Sequence, residues 1–212
     1  MRSGFCSVMR SSGYSGRSGL GVLRIISGLA GGRRLKAPRG LITRPMTDRV
    51  REAVFSAIGD MLPGADVLDL YAGTGSLGLE ALSRGAASAV FVERNPAALR
   101  VLRENIEAVG LGGAVVAMEV GRFLARKVAR MEARGPARFD LVFVDPPYRE
   151  SAASVEATMR MLEPATRIGG TVIVHRRAGG EQLQAPGFEP ERARTYGTTR
   201  IWRFRRHPIS EG

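Results

Sequence analysis

From about residue 66 the chain alternates short apolar runs with stretches of helical period, and that alternation leaves few folds open. Val67–Tyr71, Ala89–Glu93, Ala114–Met118, Leu141–Val144 and Thr171–Val174 each have the length of a buried strand. Between them, residues 76–84, 95–109, 121–134 and 151–163 carry helical periodicity. Strand, helix and strand in repetition build βαβ units, which join into a parallel sheet covered by helices on both faces. The tail "RTYGTTRIWRFRR" offers two further strands around Gly197, and no internal repeat interrupts the pattern.

Three other segments flank this α/β core. Residues 1–22 are low-complexity Ser, Gly and Arg and are expected to be a disordered arm. Residues 23–62 form an extension: a small hairpin around Gly31-Gly32, then a helix from about Thr47 with Val50, Val54, Ile58 and Met61/Leu62 on one face. The α/β domain is expected over 63–206, with a short tail at 207–212. Charge follows the same division. Residues 1–60 hold 11 Lys/Arg against 3 Asp/Glu, residues 61–175 hold 13 of each, and residues 176–212 hold 8 against 4. A neutral centre between basic ends suits a small-molecule engine that carries a polyanion-gripping surface.

Cys6 is the only cysteine, so neither an intrachain disulfide nor a cysteine metal cluster can form, and a reducing, cytoplasmic setting is expected. No run of about 18 apolar residues reads as a membrane span. The first 47 residues contain no acid and share the composition of an organellar transit peptide, although a flexible arm is the simpler reading.

The chemistry concentrates at two strand ends. "DLYAGTGSLGLEAL" sets Gly73, Gly75 and Gly78 in G-x-G-x-x-G spacing between a strand and a helix. Such a loop brings backbone N–H groups and a helix N-terminus against a ligand. Glu93 ends the next strand, where a carboxylate can accept both hydroxyls of an adenosine ribose. This much fits a dinucleotide or S-adenosylmethionine. Asp69 leans towards the latter, because a carboxylate beside the loop suits an ammonium and a sulfonium and repels a pyrophosphate. Glu119, after the third strand, is either an adenine contact at the same edge or a solvated loop acid.

"FVDPPYRE" supplies the second feature. Asp145 ends the fourth strand, and Pro146-Pro147 form a stiff elbow carrying Tyr148. An exocyclic amine on a conjugated ring is a poor nucleophile, because its lone pair is delocalised. Hydrogen bonds to the Asp145 carboxylate and the Pro146 carbonyl would draw that nitrogen towards tetrahedral geometry, while Tyr148 stacks on the ring. Methyl transfer in line from the donor would then need no covalent intermediate and no metal.

"DLYAGTG" followed by "VDPPY" resembles the S-adenosylmethionine-dependent N-methyltransferases of nucleic acid bases. "RIISGLAGGRRLKAP", "RPMTDRVREAVFSAI" and "LGLEALSRGA" further resemble the RsmD family of small-subunit ribosomal RNA methyltransferases, over roughly residues 24–205. The resemblance implies a Rossmann-like class I methyltransferase fold, with a seven-stranded mostly parallel sheet and an antiparallel last strand. It implies methylation of N2 of one guanine in 16S rRNA, on the small subunit or its assembly intermediate; a monomer with no membrane partner and no metal is expected. Cofactor contacts are expected from Asp69, Gly73, Thr74, Gly75, Glu93 and Glu119, and catalysis from Asp145, Pro146, Pro147 and Tyr148. RNA contacts are expected from Arg33, Arg34, Lys36, Arg44, Thr47, Arg49 and Arg51. Two departures from the family pattern are Glu119-Val120 after the third strand and His175-Arg176-Arg177 after the fifth. His175 reads as a packed or surface histidine and receives no role. N6-adenine methylation of DNA or RNA, and a non-catalytic RNA-binding assembly factor, are the alternatives.

Overall fold

A computed structural model describes residues 23–38, 46–134, 138–179 and 182–208. Seven strands, β1 Asp66–Leu70, β2 Ser88–Glu93, β3 Ala114–Ala117, β4 Phe139–Val144, β5 Thr166–Arg177, β6 Phe188–Tyr196 and β7 Thr199–Arg206, form one sheet in the order β3-β2-β1-β4-β5-β7-β6. The first five pair in parallel, and β7 runs antiparallel between β5 and β6. From β1 the chain winds outward to β3 on one side, then returns to β4 on the other. The switch point therefore lies between the ends of β1 and β4, which is where open sheets of this kind bind ligands.

Strand residues alternate between two buried faces. Val67, Phe91, Leu141, Phe143 and Ile173 join one core; Leu68, Leu70, Val142, Val144 and Val174 join the other. The helices are α1 Asp48–Ala57, α2 Ser76–Ser83, α3 Pro96–Val109, α4 Val120–Arg134 and α5 Ala152–Leu162. Their ends are written locally. Asn95 accepts from Ala97 and Ala98 at the start of α3, Pro96 sits at its first turn, and Gly110 closes it in the left-handed conformation. Thr47 and Ser151 cap α1 and α5 in the same way.

The expected strands and helices are present, except that α1 ends at Ala57, so Ile58, Met61 and Leu62 follow it in and around a 3-10 turn at Gly59–Met61 rather than continuing its face. β5 is much longer than Thr171–Val174, since its exposed stretch Arg167-Ile168-Gly169 has no apolar pattern to betray it. Pro190 fits β6 because that strand is the sheet edge, where a missing N–H costs nothing.

The N-terminal extension shares the first core rather than forming its own. Ile25, Leu35, Val54, Phe55 and Ile58 pack with Leu79, Phe91 and Phe143, and the Phe55 and Phe143 rings lie 5.5 Å apart. The hairpin is small, a single Arg24–Arg34 bridge flanked by backbone bonds from Ile25 to Arg33 and from Leu35 to Leu23. Its anchor is the buried Glu80 of α2, whose carboxylate accepts the N–H groups of Ile26 at 2.6 Å and Ser27 at 3.1 Å and pairs with Arg84. Gly28 makes this docking possible. It is left-handed, with φ of 84°, and a Cβ there would lie 1.8 Å from the Ser83 carbonyl oxygen.

Candidate active site

At the carboxyl end of β1 the chain turns sharply into α2. Tyr71 sits in the left-handed region with φ of 61°, the only such non-glycine among the described residues. Conformations of that kind persist where the surroundings enforce them, commonly in ligand loops. Gly75 caps α2, also left-handed, and Gly78 lets the helix press on the sheet: a Cβ there would meet the Phe91 ring at 2.3 Å. The Gly73 N–H donates to Glu93 at 2.9 Å, and the Thr74 carbonyl accepts from Asn105 at 2.9 Å. Glu93 also accepts from Arg94 and Asn95, so it ties the glycine loop to the start of α3.

Asp69 is buried behind this loop and accepts the Gly78 N–H at 2.9 Å. Burial pushes its carboxyl well above the ordinary value of 3.8, and the charges of Asp145 and Glu93 add to the effect against the pull of the Gly78 N–H. The Asp69 carboxyl thus feels the charges of the acids at the ends of β2 and β4. A group raised on folding contributes stability that is complete below its unfolded pKa and is lost as pH rises through the folded one. Asp69→Asn keeps an acceptor for Gly78 and removes the titration. Its melting temperature relative to wild type is therefore expected to rise with pH above the ordinary aspartate range, as thermal melts across a pH series would show; a constant difference would contradict this.

Glu119 caps α4. Its carboxylate accepts the N–H groups of Gly121 at 3.0 Å and Arg122 at 2.9 Å, which hold it below the usual carboxylate range. It stands exposed at the same carboxyl edge.

The end of β4 lies across the switch point. Val144 pairs with Leu70 on one side and Val174 on the other. Asp145 follows with its side chain 32 % exposed, Pro146 is buried, and Tyr148 is 50 % exposed. The Glu150 N–H bonds the Pro147 carbonyl at 2.9 Å and closes the turn. A cavity of about 320 Å³ opens beside it, lined by Pro146, Pro147, Tyr148, Arg176, Arg177 and Trp202 among others.

Several residues take other positions than the sequence suggested. Arg51 is not on a nucleic-acid surface: it is fully buried, and its guanidinium holds the Arg24 carbonyl and, at 3.0 Å, Asp48. Its spacing places it on the inner face of α1, where desolvation requires such local partners. Arg33 and Lys36 are exposed, but their charges dock the hairpin on α3. Arg33 donates to the Ala108 and Val109 carbonyls, where the helix C-terminus attracts a cation, and Lys36 pairs with Glu104 at 2.9 Å. Thr47 caps α1. Arg34 and Arg49 are exposed, and Arg44 lies outside the described residues.

Sequence reasoning missed two residues here. Asn105, buried in α3, joins the Thr74 carbonyl to the backbone of Lys36 and so connects the glycine loop with the hairpin. His175 meets Asp145 directly, its Nδ1 lying 2.5 Å from the carboxylate. The parallel pairing of β4 with β5 predicts that neighbour once strand order is known.

A parallel sheet with a glycine loop at its switch point, an acid ending the next strand and an Asp-Pro-Pro-Tyr turn beside it defines a class I, S-adenosylmethionine-dependent methyltransferase. The family model described as conserved hypothetical protein 95 matches residues 23–205. The chain belongs to that family, the RsmD family that its motifs resemble. YlbH of Bacillus subtilis is 36 % identical over 183 residues, spanning 84 % of this chain and 96 % of that one. Ribosomal RNA small subunit methyltransferase D of Escherichia coli K12 is 41 % identical over 147 residues, 69 % of each chain. The solved structure of yhhF from Escherichia coli superposes with a TM-score of 0.76 at 34 % identity, over 88 % of this chain and 99 % of that one.

Proposed function

We propose that this protein transfers a methyl group from S-adenosylmethionine to the exocyclic N2 of one guanine in 16S rRNA, on the small subunit or an assembly intermediate. The observation that carries the reading is the Asp145–Tyr148 turn beside the glycine loop in a chain that is 41 % identical, over 147 residues, to a ribosomal RNA small subunit methyltransferase. The guanine-N2 choice rests on the family resemblance.

The residues present fit the donor. Glu93 and Asp145 stand at the edge where the donor's sulfonium and ammonium would lie, with Asp69 buried behind the loop; Glu93 reaches the ribose, Glu119 faces the adenine side, and Gly73 to Gly75 allow close approach. When bound, S-adenosylmethionine supplies an electrophilic methyl group. Asp145 and the Pro146 carbonyl accept the two amino hydrogens, and Tyr148 stacks on the base. Held by Asp145 and the Pro146 carbonyl in line with that methyl group, N2 would be the nucleophile, and the proton it releases would pass by Asp145 to water. Because a nearby cation favours ionised Asp69, cofactor binding is coupled to proton release.

The exposed Arg34 and Arg49 are the N-terminal cations that best suit rRNA phosphates. Arg34→Glu combined with Arg49→Glu is expected to weaken rRNA binding and to flatten its dependence on salt, because fewer counterions are released. Unchanged binding across a salt series would remove the N-terminal face from the interface. The reading as a whole is tested by offering labelled S-adenosylmethionine with small subunits, naked 16S rRNA and DNA in parallel. Label in small-subunit RNA is expected; label in DNA alone, or stabilisation by NAD in place of S-adenosylmethionine, would overturn it.

A further inference from the structure

We propose that His175 is a positioning residue for methyl transfer, acting through Asp145, a role that rests on Asp145 being the amine acceptor. The pairing of Val144 with Val174 makes positions 145 and 175 the next neighbours across the sheet. His175 is 3 % exposed, and its Nδ1 lies 2.5 Å from Asp145 Oδ1. At that separation two bare lone pairs repel, so one proton lies between the atoms. Its owner follows from the other nitrogen: Nε2 is buried and has no partner among the described residues. A proton there would be an orphaned donor, and on an imidazolium an orphaned charged one, which is the costlier arrangement. The proton therefore sits on Nδ1, and neutral His175 donates to ionised Asp145.

This fixes what Asp145 offers a ligand. Oδ1 is engaged from beneath, the carboxylate cannot rotate freely, and Oδ2 is left as the acceptor on the one-third-exposed side chain. The ring also backs the stacking residue, since Tyr148 meets His175 edge-on with centroids 6.2 Å apart. The next residue braces the same turn further along: Arg176 donates to the Glu150 carbonyl at 2.8 Å, where Glu150 closes back onto Pro147. Consecutive residues of β5 thus hold both ends of the segment from Asp145 to Glu150. A histidine that merely filled the core would not place a ring nitrogen on this carboxylate.

The test uses the full-length protein with small subunits as acceptor. His175→Ala is expected to lower kcat about 10- to 100-fold, the scale on which a small misplacement of reacting groups acts. S-adenosylmethionine affinity and the KM for subunits should stay near wild type. His175→Asn, whose amide nitrogen lies close to the position of Nδ1 and can donate, should recover most of the loss. Wild-type kcat in His175→Ala, or equal losses in both variants, would overturn the proposal. The ¹⁵N spectrum of the imidazole gives a readout that needs no turnover and stands even where the alanine variant fails to fold. The Nδ1–H tautomer is expected in wild type and should be lost in Asp145→Ala, while an Nε2–H tautomer contradicts the pairing. Should wild type transfer no methyl to any RNA, the proposed function falls, and the role of His175 in it falls too, while the spectrum still decides the hydrogen bond.

Discussion

Replacing Asp145 by asparagine is expected to lower the rate of methyl transfer by at least about 10²-fold, the scale of removing one preorganised transition-state hydrogen bond. The fold should survive the change. Asparagine retains a carbonyl oxygen that accepts from His175, so the buried imidazole keeps its partner. What changes is the atom facing the substrate: Oδ2 becomes an NH₂ group, a donor turned towards the two amino hydrogens of the base. Neither stability nor cofactor affinity has a reason to fall far, since Asp145 is not the only acid proposed to face the cofactor. Single-turnover kinetics with S-adenosylmethionine binding measured alongside would check this. Wild-type rates in the asparagine variant would mean that the carboxylate does not hold the amine.

The second large effect is expected far from the reacting atoms. Glu80 is fully buried, accepts two hairpin N–H groups and pairs with Arg84, whose side chain is 19 % exposed. Glu80→Ala leaves those N–H groups and a mostly buried guanidinium without their acceptor. Breaking a buried pair from one side costs about 3–5 kcal/mol. Much of that cost can be avoided if the hairpin lifts away, exposing residues 23–38 to water. The variant should therefore show a lower melting temperature, early proteolytic cleavage within the hairpin, and reduced rRNA methylation with S-adenosylmethionine affinity largely kept. Denaturation and limited proteolysis check this directly, and an intact, protease-resistant hairpin would refute the clamp.

These two residues also show how far the sequence could be read. The position of Asp145 at the end of β4 was legible because its signal is local: an apolar run, an acid and two prolines in consecutive positions. The glycine loop and the strand-helix alternation are legible for the same reason. Glu80 was not, because an acid in a helical stretch looks solvated until the partner 54 residues earlier in the chain is folded over it. Arg51 failed in the opposite sense. Its place in the family's N-terminal motif suggested an RNA contact, while the turn of α1 placed it inside against Asp48 and the Arg24 carbonyl. Arg33 and Lys36 read as phosphate contacts, yet a helix C-terminus and Glu104 satisfy them within the chain. His175 needed strand order, since only the adjacency of β4 and β5 brings it to Asp145. Patterns within one element survive in the sequence, while pairings between elements depend on topology.

The measurement that bears most directly on the central claim is identification of the methylated nucleoside. Small subunits from cells lacking this protein would be incubated with the purified protein and labelled S-adenosylmethionine, and the 16S rRNA digested and analysed by mass spectrometry. One methyl group per subunit, recovered as N2-methylguanosine at a single position and absent when Asp145→Asn replaces wild type, is the predicted result. Label recovered as N6-methyladenosine, or no label in 16S rRNA from active and correctly folded protein, would contradict it.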